Sequence, residues 1–152
     1  AWTEAKARGY RRIGGAIGTH QPPAVEDSVR YGASLAAQRL LPEQERLPLW
    51  TDELHDRDSF LRWMKEVRPD VVVGFGHIIQ PWLIEAGWRV PEDVAVSSLL
   101  VGPTDTRRLS GSSSMVRQLG AAGIDLLIAS IHSNEWGRPA RAHRLILPAD
   151  WI

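Results

Sequence analysis

The stretch from Arg68 to Leu100, RPDVVVGFGHIIQPWLIEAGWRVPEDVAVSSLL, most constrains what this chain can fold into. Residues 70–75 form an apolar, β-branched run of the kind buried on both faces of a parallel sheet. Gly74 and Gly76 release the chain where that strand ends. Residues 78–86 are helical in pattern, with Pro81 expected in the first turn and Gly87 as the stop. Residues 94–100 read as the next strand. Strand, crossover helix and strand make a βαβ unit, and such units are parallel and right-handed.

The same alternation precedes it. Residues 3–8 read as the end of a helix capped by Gly9, and residues 10–18 as a strand. Residues 26–41 read as a helix with Val29, Ala33, Ala36, Ala37, Leu40 and Leu41 on its buried face. Asp27 and Ser28 supply capping options. Residues 47–51 read as a short strand. Residues 56–67 follow as a helix burying Phe60, Trp63, Met64 and Val67. The rhythm predicts an α/β fold: an open parallel sheet with helices on both faces. Residues 102–112 break it and read as a surface loop. A long helix over 113–134 carries a stripe of Met115, Leu119, Ala122, Leu126, Leu127 and Ile131, with Gly137 and Pro139 ending it. Residues 143–147 read as a last strand, and residues 150–152 trail away.

Composition narrows the function. The chain has 152 residues, 18 basic and 18 acidic, so it lacks the basic excess of a surface that grips nucleic acid directly. Arg8, Arg11 and Arg12 cluster, which reads as a solvated helix end. There is no cysteine, which excludes disulfides, thiolate metal sites and a cysteine nucleophile. No apolar run approaches the roughly 20 residues needed to span a bilayer. No secretion signal is visible, and a start without Met suggests a fragment.

No catalytic signature emerges. Gly14-Gly15-Ala16-Ile17-Gly18 lacks the spacing of a dinucleotide-binding loop, and neither a phosphate-binding loop nor a nucleophile elbow is present. A phosphorelay receiver would need acidic residues ending its first and third strands, where glycines stand instead. Gly76 and His77 lie at a strand's carboxyl end, where open α/β sheets bind ligands. His20, His55 and His77 each follow a strand and so reach the same rim. Zinc is not expected there, because no further ligand stands at helical spacing. Trp82 and Trp88 flank the third helix, placed either to pack on their own chain or to face a partner.

Several segments resemble the effector-binding core of LacI/GalR-type transcriptional regulators. ARGYRRIG resembles the opening of that core's second lobe. RPDVVVGFGH resembles the strand that runs into an Asn-Asp ligand-contact turn, and EAGWRVPEDVAVSSL resembles E-x-G-x-x-V-P-x-D-[VI]. The closing segment RLSGSSSMVRQLGAAGIDLLIASIHSNEWGRPARAHRLILPADWI resembles the family's last helix and strand. The resemblance covers essentially the whole chain, in order.

The resemblance implies a periplasmic-binding-protein-like fold. Residues 1–101 would be the second lobe, and 102–152 the loop, helix and strand that complete a two-lobe core. It implies a small-molecule effector, usually a sugar or nucleoside, and a dimer that binds operator DNA through a helix-turn-helix outside this chain. It implies a cytoplasmic regulator with no cofactor and no catalysis. The alternative is a solute-binding receptor of the same fold serving a transporter. Arg30 matches the arginine of R-x-x-G-[FYW], whose glycine and aromatic are here Ala33 and Ser34. Gly76 and His77 fall at the Asn-Asp pair, and Leu100 stands near a usual acidic residue. Arg30, His55, Gly76, His77 and Leu100 are the effector-binding candidates. The long helix would belong to the first lobe, so its stripe is expected to pack on a second copy or to fold back.

Overall fold

A computed structural model describes residues 1–103, 109–138 and 145–152. Four strands form one parallel sheet in the order β1 (Ile13–Ala16), β2 (Val71–Gly74), β3 (Ala95–Val101), β4 (Ser110–Ser113). Ile13 pairs with Val71, and Val71 with Ala95, so the strands end at a common carboxyl rim. Residues near Trp50 join the β1 edge through the parallel bridges Ala16–Trp50 and Thr19–Glu53. The short strand expected over 47–51 is thus the single bridge at Trp50, and the second bridge lies beyond it at Glu53.

Alternation along β2 builds two cores. Val71 and Val73 face one side and pack with Ala5 of α1 (Trp2–Ala7), Ile13 and Ala95. Val72 faces the other and packs with Phe60, Trp63, Met64 and Val67 of α3 (Arg57–Val67) and with Ile79 and Leu83 of α4 (Gly76–Glu85). Phe60 is fully buried and meets Trp50 edge-on at 5.4 Å. Asp56 caps α3, accepting the Ser59 N–H at 2.9 Å. Trp82 and Trp88 pack against this core from its margin.

The basic cluster is structural. The Arg12 guanidinium donates to the carbonyls of Val67 and Arg68, where α3 ends, and Arg8 pairs with Glu4. Helix α4 starts at Gly76, two residues before the expected 78, so Pro81 falls inside it rather than in its first turn. Gly87 has φ +88°, the left-handed conformation expected of a helix stop.

Helix α2 (Val25–Arg39) corrects the expected burial. Its buried residues are Asp27, Ser34 and Gln38, while Val29, Ala33, Ala36 and Leu40 are exposed. Only Leu41, just beyond the helix, is buried as read. The polar face turns inward because it has partners there. Gln38 donates to the Leu47 carbonyl, and Asp27 gathers donors from the preceding loop.

The segment after β3 also departs from expectation. Residues 104–108 of the expected loop lie outside the described residues, but Leu109 is buried and Ser110–Ser113 form β4. Small residues allow this close approach. A Cβ on Gly111 would run into the Ser98 carbonyl oxygen. Residues 150–152 do not trail away. Gly111 and Ile152 exchange backbone hydrogen bonds of 2.9 and 3.0 Å, and Ser112 bridges Trp151 antiparallel. Of the expected last strand, 143 and 144 lie outside the described residues, and 145–147 have no regular structure. Pro139 lies outside them too.

Helix α5 (Val116–His132) starts after Met115 and closes before Gly137, with Asn134 left-handed at φ 55°. It buries no residue. Leu119, Leu126, Leu127 and Ile131 are all exposed, so the stripe does not fold back on the sheet.

Candidate functional site

The carboxyl rim of the sheet gathers the residues with ligand chemistry. After β1 the chain runs through Thr19 and His20 into the first turn of α2, and after β2 through Phe75 into α4. Asp27 lies at the centre of the group on the β1 side. Its carboxylate accepts the His20 N–H at 3.0 Å, the Ala24 N–H at 2.8 Å and the His20 ring Nδ1 at 2.7 Å. It also accepts a hydrogen bond from Arg30 Nη2. A carboxylate only accepts, so His20 Nδ1 carries its proton toward Asp27 and leaves Nε2 for other partners. Arg30 Nη2 lies 3.3 Å from the same ring nitrogen, with both groups aimed at one carboxylate. The His20 imidazole, with the backbone N–H groups of Ala24 and His20, holds the Asp27 carboxyl well below the usual carboxylate range, against the opposing effect of desolvation.

Arg30 links this cluster to β2. Its guanidinium carbon lies 5.0 Å from the centre of the Phe75 ring, a cation–π placement. Its side chain is mostly buried, and its Nε has no partner among the described residues. Phe75 also meets His20 edge-on at 6.4 Å and His77 at 5.9 Å. Arg30, His20, Phe75 and His77 therefore form one contiguous surface.

The other candidates stand around it. Gly76 is buried beneath Ser98 and Leu109, where a Cβ would come within 3.0 Å of both. Its N–H donates to Ser98 Oγ at 3.2 Å. Packing thus explains a glycine at that position. Leu100 is exposed near the end of β3, and its carbonyl accepts the Ser98 hydroxyl at 2.7 Å. His55 is exposed just past the bridge that joins residues 19 and 53. Among the described residues no group of three His, Cys, Asp or Glu side chains is placed to hold a metal ion, so His20, His55 and His77 do not make a metal cluster. Nor is any described helix long and apolar enough to cross a membrane.

Sequence reading missed Asp27 as the organiser and Phe75 as the shared wall. The signal for Asp27 is its spacing, three residues before Arg30 in a helix's first turn, where side chains meet. Phe75 carries no signal, because an aromatic ending an apolar strand reads as core.

The charged and aromatic group thus stands at the carboxyl rim of an open parallel sheet, the place where α/β folds of this class take ligands. The chain belongs to the periplasmic binding protein-like domain family, whose model matches residues 3–152. It is similar to the Lac repressor bound to ONPG in the repressed state, at 16% identity and a TM-score of 0.71, over 99% of this chain and 47% of that one. The LacI family transcriptional regulator from Enterococcus faecium with bound ribose matches at 17% identity and a TM-score of 0.67, over 99% and 58%. The transcriptional regulator CelR in complex with cellobiose matches at 23% identity and a TM-score of 0.63, over 100% and 48%. The chain thus spans about half the length of these structures, with which it shares a fold. No curated protein matches it.

Proposed function

We propose that this chain is the ligand-sensing part of a LacI-type DNA-binding transcriptional regulator. The observation that carries the reading is the family match over residues 3–152, joined to a cluster of Arg30, His20 and Phe75 at the carboxyl rim. Residues 1–101 form the second lobe, and the described part of 102–152 belongs to the closing segment. A small-molecule effector sits between the lobes, with Arg30, His55, Gly76, His77 and Leu100 on or beside the second-lobe wall. Effector binding favours one closure of the lobes and so shifts the population competent to hold operator DNA. The protein acts as a cytoplasmic homodimer and catalyses no reaction.

The test uses the full-length protein and DNA fragments selected from its own genome. One fragment is expected to bind specifically, and a saturating effector to change that affinity by about 5–150-fold, the usual range of allosteric coupling. Solute binding with no sequence-specific DNA binding would overturn the reading in favour of a transport receptor.

A further inference from the structure

Helix α2 is built inside out. Its inward face is polar, with Asp27, Ser34 and Gln38 buried. Its apolar residues face away from the sheet, and neither hydrophobic core contains any of them. Val25, Val29 and Leu40 are 79%, 65% and 87% exposed, and Ala33 and Ala36 are exposed between them. At 3.6 residues per turn these five fall within about 80° of arc, on the side opposite Ser34 and Gln38. A helix that had only the sheet to pack on would carry the two faces the other way round. Apolar residues spaced by 4, 3 and 4, as at Val29, Ala33, Ala36 and Leu40, make the seam of a helix pair.

The face is shaped to meet itself. Its larger residues stand toward the ends, and Gly32, Ala33 and Ala36 stand in the middle. Gly32 has no atom within 4 Å of where a Cβ would sit, so another helix can approach closely there. In an antiparallel pair centred at that point, Leu40 of each copy meets Val25 and Val29 of the other. The ends are complementary in charge. Glu26 lies in the first turn and Arg39 in the last. Both are exposed, and no ion pair among the described residues uses either. Antiparallel pairing sets the Glu26 end of each copy beside the Arg39 end of the other and opposes the two helix dipoles. Parallel pairing would set like charge against like.

We propose that the outer face of α2 is a contact between two copies of this protein, an antiparallel helix pair about a two-fold axis at Gly32 and Ala33. The contact needs neither effector nor DNA and stands apart from the sensing reading above. In a protein already dimeric through another surface, it joins two dimers. Helix α2 has 15 residues and is about 22 Å long. One pair of such helices is smaller than the roughly 1,200–2,000 Å² interfaces of stable complexes, so the contact is reversible.

The experiment follows the mass of the full-length protein by analytical ultracentrifugation between about 1 and 100 μM, the range suited to a reversible contact. The unmodified protein is expected to gain mass with concentration. At the top of the range it is expected to reach twice the mass of a variant carrying Val29→Glu and Leu40→Glu. Both positions are open to solvent, so circular dichroism is expected to be the same in the two proteins. Equal masses across the range overturn the proposal, whatever else covers the face. Charge exchange tests the orientation. Glu26→Arg or Arg39→Glu alone sets like charges together at both ends and is expected to weaken association about threefold. The two together exchange the ends and are expected to restore it. Both charges in the double variant oppose the helix dipole, so restoration can come only from the contact between copies. A double variant that associates no better than the single ones overturns the antiparallel pair.

Discussion

Helices α3 and α5 carry the same kind of apolar stripe and meet opposite fates. Helix α3 buries Phe60, Trp63, Met64 and Val67 under β2 and α4, while α5 buries nothing along Val116–His132. Spacing of apolar residues at 3 and 4 says that a helix wants a partner on one side. It does not say where that partner is. For α3 the partner is the adjacent strand of the same βαβ unit. For α5 no part of the described chain covers the stripe.

The contrast breaks most visibly at Phe60. It is fully buried, with its ring 5.4 Å from Trp50, 5.9 Å from Trp63 and 5.7 Å from Trp82. Phe60→Ala removes a ring that three indoles surround and that the sheet cannot collapse to replace. Urea unfolding of the 152-residue chain is expected to show a loss of about 3–5 kcal/mol. A loss below about 0.5 kcal/mol, the level of an ordinary exposed site, would mean that the α3 core is not packed as described.

The glycines repeat the contrast on a smaller scale. Gly111 in β4 faces the Ser98 backbone, whereas Gly120 in α5 has no atom within 4 Å of where a Cβ would sit. Gly111→Ala is expected to cost about 1–3 kcal/mol, because either β4 or β3 must move. Gly120→Ala is expected to act in the opposite direction. It favours the helix by about 0.5–1 kcal/mol, since alanine restricts the unfolded chain and meets no obstacle. Amide exchange across α5 reads that gain directly, and slower exchange in Gly120→Ala alone would confirm that only β4 is closely packed.

These pairs show what was legible in the sequence. The central unit was read closely because its signals are local. Val71, Val72 and Val73 are β-branched in a row, and Gly87 sits where a left-handed stop is needed. Helix α2 was placed to within two residues, but its inner face was reversed. The decisive forces there are long-range hydrogen bonds, Gln38 to Leu47 and Asp27 to the loop at His20, and a hydrophobic count cannot see them. Strand β4 was hidden for a related reason. Ser110, Gly111 and Ser112 carry no apolar signal, and their pairing is with Ser97, Ser98 and the distant residues 150–152. At the rim, position after a strand puts His20, His55 and His77 on one edge, and Arg30 enters only through the family resemblance. The saturation of Asp27 emerges only when every donor is located in space.

The finest test of the contrast is Leu127, exposed at mid-length in α5. Leu127→Gln keeps helix propensity nearly constant, so any change reports burial alone. With the stripe uncovered, the substitution in the 152-residue chain is expected to alter unfolding stability by less than about 0.5 kcal/mol. A loss of about 2 kcal/mol or more, the cost of truncating a buried leucine, would show that the stripe is covered in solution. Dilution then identifies the cover. If the loss shrinks as protein concentration falls, a second copy supplies it, because dimer stability follows mass action. If the loss does not change with concentration, the same chain supplies it, and the separation between the closed α3 core and the open α5 face is false. The expected small effect, independent of concentration, leaves the stripe uncovered in the 152-residue chain.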